Sequence, residues 1–232
     1  MSEKLILFDV DGILTVHYAV SYDYWKEAVK NNFGIDVSIN DIYSDGKTDM
    51  EILKDLLELK GIKNPLSDKR FMKVLNDIGD IAVRVIGNRK IDKVTNVEGF
   101  IKRLIEDGYS IGLLTGNTME KAKAKLQSCD LWKYFGFGAY GDATTKRSEL
   151  VQIAMSAAKK KTGKDFSKEN VFVIGDTVRD TRCAKEGGVK SIAVATGAET
   201  LEMLKKENPD FLFKDFTDIE KIIEAITKKE NS

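Results

Sequence analysis

Asp9 and Asp11 stand two residues apart, directly behind the apolar run Leu5-Ile6-Leu7-Phe8 and directly before Gly12. Two carboxylates this close repel each other and resist leaving water, so the pair needs a partner. Residues two apart on an extended chain face the same side, and the spacing therefore predicts both carboxylates aimed at one point beyond a strand end. Such a pair suits a hard divalent cation such as Mg2+, which takes oxygen ligands and keeps several waters. An isolated Asp-x-Asp is ordinarily a surface turn or a helix cap. The four apolar residues in front weaken that reading here, because they place the pair at the end of a buried strand.

Four further polar groups stand out. Asp176 ends the run Val171-Phe172-Val173-Ile174-Gly175, and Asp180 lies about one helical turn later. Thr177-x-x-Asp180 also has the form of a capping box, with Asp in place of Glu. After Leu113-Leu114, the stretch Thr115-Gly116-Asn117 offers a hydroxyl, a flexible amide and a side-chain amide. The helix expected from Thr118 adds free N–H groups, a natural anion site, although Asn117 followed by Glu120 also reads as an ordinary N-cap. Lys146-Arg147 precedes another expected helix and, taken alone, is surface charge. In Gly46-Lys47-Thr48-Asp49-Met50-Glu51, Thr48-x-x-Glu51 is a capping box. Gly46 and Lys47 beside that helix start also suit an anion-recognition loop. The single histidine, His17, reads as a helix-end side chain, and nothing near it suggests a nucleophile–base pair.

The elements that must position these groups are legible. Leu5 to Phe8, Ser110 to Leu114, Val171 to Ile174 and Lys190 to Ala195 are short, continuous and rich in Ile, Val and Leu. Runs of this kind are expected of parallel strands buried on both faces. Amphipathic stretches at 97–107, 118–128, 148–161 and 178–186 suit crossover helices. The alternation predicts a Rossmann-like α/β fold with a parallel sheet, whose ligands sit at the carboxyl ends of the strands. From 16 to 93 the pattern is helical only: Tyr22, Trp25, Ala28, Val29 and Phe33; then Ile52, Leu53, Leu56 and Leu57; then a third helix over 68–86. We read 1–15 and 94–232 as an α/β core, and 16–93 as a small all-helical cap domain inserted after the first strand.

Taken together, the order of these groups and their placement behind strands resembles the haloacid dehalogenase-like (HAD) hydrolase superfamily, close to its phosphoglycolate-phosphatase-like members. Asp9-x-Asp11-Gly12 resembles the first motif, Thr115-Gly116-Asn117 the second, Lys146 or Arg147 the third, and Gly175-Asp176-Thr177-x-x-Asp180 the fourth. The resemblance implies that Asp9 is a nucleophile forming an aspartyl-phosphate, and that Asp11 is the acid and then the base. It implies Mg2+ held by Asp9, the Asp11 backbone carbonyl and Asp176, with Asp180 sharing or supporting the site. It further implies that Thr115, Gly116, Asn117 and one cation hold the phosphoryl oxygens. Relatives often follow the third-motif lysine with proline, whereas Arg147 stands here. Lys146 is narrowly favoured for that role, with Arg147 the alternative. In caps of related phosphatases, Gly-x-Thr-Asp loops face the site, which makes Gly46, Lys47 and Thr48 substrate-side candidates.

The bulk composition narrows the partners. Lys+Arg and Asp+Glu both total 37, so no overall charge recruits nucleic acid or an acidic membrane surface. Cys129 and Cys183 have no metal-ligand spacing and read as free thiols. No signal-peptide pattern or stretch of membrane-spanning length is present, and a cytoplasmic location is expected. The function expected is a Mg2+-dependent phosphatase of a small phosphorylated metabolite: phosphoglycolate, a sugar phosphate or a nucleotide. Within the same superfamily, a phosphonoacetaldehyde hydrolase using Lys47 as a Schiff base and a sugar phosphomutase are the alternatives. A non-catalytic phosphate-binding module ranks last. Dehalogenation is disfavoured because that branch lacks the second aspartate, and Asp11 is present. The sequence does not indicate an oligomeric state.

Overall fold

A computed structural model describes residues 3–16, 24–87 and 89–227. His17, with the helix start expected there, lies outside these residues. Six parallel strands form one sheet: β1 (Leu5–Phe8), β2 (Ser110–Leu114), β3 (Gly138–Ala139), β4 (Val171–Gly175), β5 (Lys190–Val194) and β6 (Phe211–Phe213). They lie in the order β3-β2-β1-β4-β5-β6. The strands expected from sequence are the four longest. Strands β3 and β6 escaped because two or three residues carry no period, and both lie at the sheet edges.

Helices cover both faces: α4 (Val97–Glu106), α5 (Met119–Ser128), α6 (Glu149–Thr162), α7 (Val178–Gly187), α8 (Leu201–Lys206) and α9 (Ile219–Thr227). Successive residues of β1 and β4 point to opposite faces. Leu5, Leu7, Val171 and Val173 pack with Leu150, Val151 and Ala154 of α6 and with Cys183 and Ala184 of α7. Ile6, Phe8, Phe172 and Ile174 pack with Val97, Phe100 and Ile101 of α4, Leu126 of α5 and Ile222 of α9. Burial on both faces is the physical reason these runs are continuously apolar. Lys159, Lys160 and Lys161 are exposed in the last turn of α6, as a solvated helix end should be. Both cysteines are buried free thiols. Among the described residues no helix is long and apolar enough to cross a membrane.

Between β1 and α4 lie α1 (Tyr24–Phe33), α2 (Asp49–Leu59) and α3 (Arg70–Ile86). The third helix starts two residues later than its pattern suggests, because Asp68 Oδ1 accepts the Arg70 N–H at 2.9 Å and turns the chain there. The three helices share an apolar cluster of their own, including Trp25, Val29, Leu53, Leu56, Leu57, Phe71, Val74 and Ile78. Helix α3 also packs on α5 through Ala82, Ile86 and Ala124. The outgoing and returning chain segments are tied together: Thr15 bridges Lys93, and the Val16 N–H donates to Asp92 O at 2.9 Å.

Candidate active site

Pairing of Phe8 with both Leu113 and Ile174 brings the carboxyl ends of β1, β2 and β4 to one level. Strand β1 stops at Phe8, and the chain turns through Val10, whose carbonyl accepts the Leu14 and Thr15 N–H groups. Gly12 sits in this turn at φ +76°, and a Cβ there would lie 2.3 Å from Asp176 Oδ2. The turn changes the expectation for the aspartate pair. Both carboxylates line one cavity of about 570 Å3, but they have different partners.

Asp9 faces Arg147, with Nη2 at 3.1 Å from Oδ2. Burial pushes its carboxyl up to about 7 against the pull of Arg147, and the Asp180 and Asp11 charges add to the rise. Asp11 accepts from Lys125 Nζ at 2.7 and 2.6 Å and from Asn117 Nδ2 at 2.9 Å. Burial alone would raise the Asp11 carboxyl, but the Lys125 ammonium and these hydrogen bonds hold it below the usual carboxylate range.

Asp9, Asp176 and Asp180 bring one oxygen each within 4.8 Å of one another, and all three are buried. Asp176 Oδ2 accepts the Ala198 N–H at 3.1 Å, while its buried Oδ1 has no partner. Burial, then the Asp180 and Asp9 charges, raise Asp176 well above the carboxylate range. Three packed carboxylates and an orphaned inner oxygen fit a hard divalent cation. Asp180 closes the capping box of α7, accepting from Thr177 N–H at 3.1 Å and Thr177 Oγ1 at 2.7 Å. Its other oxygen accepts from Arg147 Nη2 at 2.5 Å. The capping and site readings of Asp180 thus hold together in one side chain.

The third-motif expectation is corrected. Lys146 points to solvent with 75% of its side chain exposed, whereas the Arg147 side chain is 6% exposed and lies between Asp9 and Asp180. Arg147 is held firmly protonated: burial works against its charge, but Asp180 and Asp9 outweigh it. Residue 147 starts the approach to α6 and faces the sheet, so the position before it faces out.

Gly116 and Asn117 line the cavity. Thr115 is fully buried behind them, its Oγ1 accepting from Asn117 Nδ2 at 2.9 Å. Of the cap-loop candidates, Gly46 and Lys47 line the cavity and Thr48 does not. The Asp49 and Met50 N–H groups donate to Gly116 O at 2.7 Å and Gly141 O at 2.8 Å, so the start of α2 is docked on the core instead of open to an anion. Thr48 is a fully buried N-cap that accepts the Glu51 N–H at 3.1 Å. Lys47 is paired with Asp55 and lies 3.8 Å from Glu51. Gly46 O accepts from Arg147 Nη1 at 3.1 Å.

Sequence reasoning missed several residues of the cavity wall, Asp49, Lys121 and Lys125 among them. Asp49 accepts the Thr118 N–H at 2.7 Å and Lys121 Nζ at 2.6 Å, a buried pair joining α2 to α5. Lys121 also lies 5.7 Å from the Trp25 ring centroid. Lys125 holds Asp11. For the two lysines the available signal was spacing: Lys121 and Lys125 lie four residues apart on one side of α5, in step with Asn117 just before its N-cap.

Comparison with known proteins agrees with this architecture. The profile described as "Haloacid dehalogenase-like hydrolase" matches residues 6–194. A protein assigned as the pyrophosphatase PpaX of Caldanaerobacter subterraneus subsp. tengcongensis is 24% identical over 235 residues, covering 100% of this chain and 99% of its own. The phosphoglycolate phosphatase of Vibrio vulnificus is 24% identical over 212 residues, 90% of this chain and 91% of its own. Among solved structures, the β-phosphoglucomutase of Clostridium difficile superposes with a TM-score of 0.73 at 20% identity, covering 97% of each chain. The family profile spans β1 through β5 and takes in every strand end that lines the cavity, and on that match the chain belongs to the haloacid dehalogenase-like hydrolases.

Proposed function

We propose that the protein is a Mg2+-dependent phosphatase of a small phosphomonoester, working through an aspartyl-phosphate on Asp9. The observation that supports this most is the buried Asp9–Asp176–Asp180 cluster with its unpartnered Asp176 Oδ1, set beside Arg147 at the floor of a cavity sized for a small molecule. Asp9, Asp176 and the Asp11 backbone carbonyl would hold the ion, with Asp180 supporting. When bound, it supplies positive charge to the phosphoryl oxygens and offsets the repulsion among the carboxylates.

The chain's own residues account for the rest. An Asp9 oxygen attacks phosphorus, the ester P–O bond breaks, and its electron pair leaves with the alcohol oxygen. Asp11 gives that oxygen its proton. Because Lys125 keeps Asp11 ionised in the resting site, Asp11 has to take up this proton with the substrate. As a carboxylate again, it takes a proton from the water that attacks the phosphoenzyme, releasing orthophosphate and restoring Asp9. Arg147 and the Gly116–Asn117 loop hold and neutralise the phosphoryl oxygens. Residues 16–93 act as the cap over this site, hinged where Thr15 and Val16 meet Asp92 and Lys93.

The Schiff-base alternative loses support because Lys47 is engaged with Asp55 and Glu51. The test is turnover of an aryl phosphate with Mg2+, repeated with EDTA and with Asp9→Asn, together with mass detection of the phosphorylated chain. Turnover that survives EDTA, or Asp9→Asn, sinks this reading.

A further inference from the structure

The cations that line the cavity are already paired within the chain. Lys121 is bonded to Asp49 at 2.6 Å, Lys125 to Asp11 at 2.6 Å, and Lys47 to Asp55. Arg147 is shared between Asp9 at 3.1 Å and Asp180 at 2.5 Å. Among the described lining residues no lysine or arginine lacks a carboxylate partner, and Asp45 adds a further carboxylate to the cap side. The same cap side offers Trp25, Ile39 and Ile52 as apolar surface, and Asn40 and Ser44 as neutral polar groups.

We propose that the substrate is the phosphate ester of an uncharged alcohol, a polyol or sugar, and that Asp49 enforces this choice. This rests on the phosphatase reading and names the class of ester that the site accepts. The place where a second anion could bind is visible: the Lys121 ammonium and the Thr118 N–H at the start of α5 converge on one point. The Asp49 carboxylate fills it from the cap. An acidic leaving group would have to displace that buried carboxylate and strand it without a partner, a penalty larger than the new contact returns. It would also meet Asp45. A neutral polyol needs only hydrogen bonds, for which Asn40 and Ser44 line the cap side. Phospho-acids and bisphosphates are disfavoured on this argument, and with them an isomerisation that passes through a bisphosphate.

The test compares glycerol 1-phosphate and glucose 6-phosphate with phosphoglycolate and fructose 1,6-bisphosphate. Turnover is measured on the wild type, and calorimetric binding on Asp9→Asn, both with Mg2+. The neutral-alcohol esters are expected to lead in kcat/KM and in affinity by about tenfold or more. Asp49→Asn keeps an acceptor for the Thr118 N–H but frees Lys121, and it should raise the relative kcat/KM for phosphoglycolate by about tenfold. Adding Lys121→Met to Asp49→Asn should cancel that gain. Equal or better use of phosphoglycolate by the wild type overturns the inference, as does an unchanged ratio in Asp49→Asn or binding of neither class. A calorimetric preference without any turnover would keep the specificity and refute the hydrolase chemistry instead.

Discussion

Arg147 lies between Asp9 and Asp180, while its neighbour Lys146 keeps 75% of its side chain in solvent. The two give opposite mutational outcomes. Lys146→Ala should leave kcat/KM within about twofold, as expected of a surface charge. On the mechanism proposed above, Arg147→Ala removes a donor to the reacting group and should cost about a hundredfold or more in kcat. It also leaves buried carboxylates uncompensated, with a stability loss of about 3–5 kcal/mol, read by denaturant melts of both variants. Asp176 behaves in the reverse sense. Its inner oxygen is orphaned and its charge is opposed by Asp180 and Asp9. In metal-free protein, Asp176→Asn should therefore be neutral or stabilising by about 1 kcal/mol; the proposed Mg2+ site should raise the wild-type Tm when the ion is added, and the variant should show no such rise. A large loss of metal-free stability in Asp176→Asn would contradict this account of the cluster.

At the scale of elements, the seam between α2 and the loop after β2 is tight enough to be broken by one methyl group. A Cβ on Gly116 would lie 2.1 Å from the Lys47 carbonyl oxygen, a backbone atom that cannot swing aside. Gly116→Ala should force the first turn of α2 away from the loop. The amides of Asp49 and Met50, which donate to Gly116 O and Gly141 O, should then exchange with solvent faster, by roughly tenfold or more in hydrogen-exchange measurements. The strands should keep their protection, because the clusters on either side of β1 do not involve this seam. Uniform loss of protection across the sheet would show instead that the helical segment is not a separable unit. Helix α7 is more conventional: its capping box is legible as Thr177-x-x-Asp180, and the structure adds only that Asp180 also meets Arg147.

For the molecule as a whole, both thiols are shut inside the fold. Burial pushes the Cys183 thiol up to about 12, and Cys183 packs between the sheet and α6. A raised pKa means less thiolate at a given pH, so alkylation near pH 8 should be slow for Cys183 until the protein unfolds, when it becomes rapid. Fast labelling of the native protein would contradict the packing of α7 on the sheet. The same packing explains what was easy to anticipate. Continuous apolar runs at Leu5, Ser110, Val171 and Lys190 announced the central strands, since a strand buried on both faces has no polar side to show. The edge strands at Gly138 and Phe211 did not announce themselves, because so few residues carry no pattern.

The sequence by itself determined four of the strands and that Asp9, Asp176 and the Thr115–Asn117 loop stand at their carboxyl ends. Those facts follow from local runs and their terminators. The tertiary structure alone decided which of two adjacent cations, Lys146 or Arg147, turns inward, because that depends on the register of α6 against the sheet and not on composition. It also decided that Asp49, Lys121 and Lys125 line the cavity. Their partners lie 72 and 114 positions away in the chain, Lys121 joining α5 to α2 and Lys125 joining α5 to the turn after β1, and no local pattern names those partners. Ion pairs of that kind exist only once apolar burial has brought the two surfaces together.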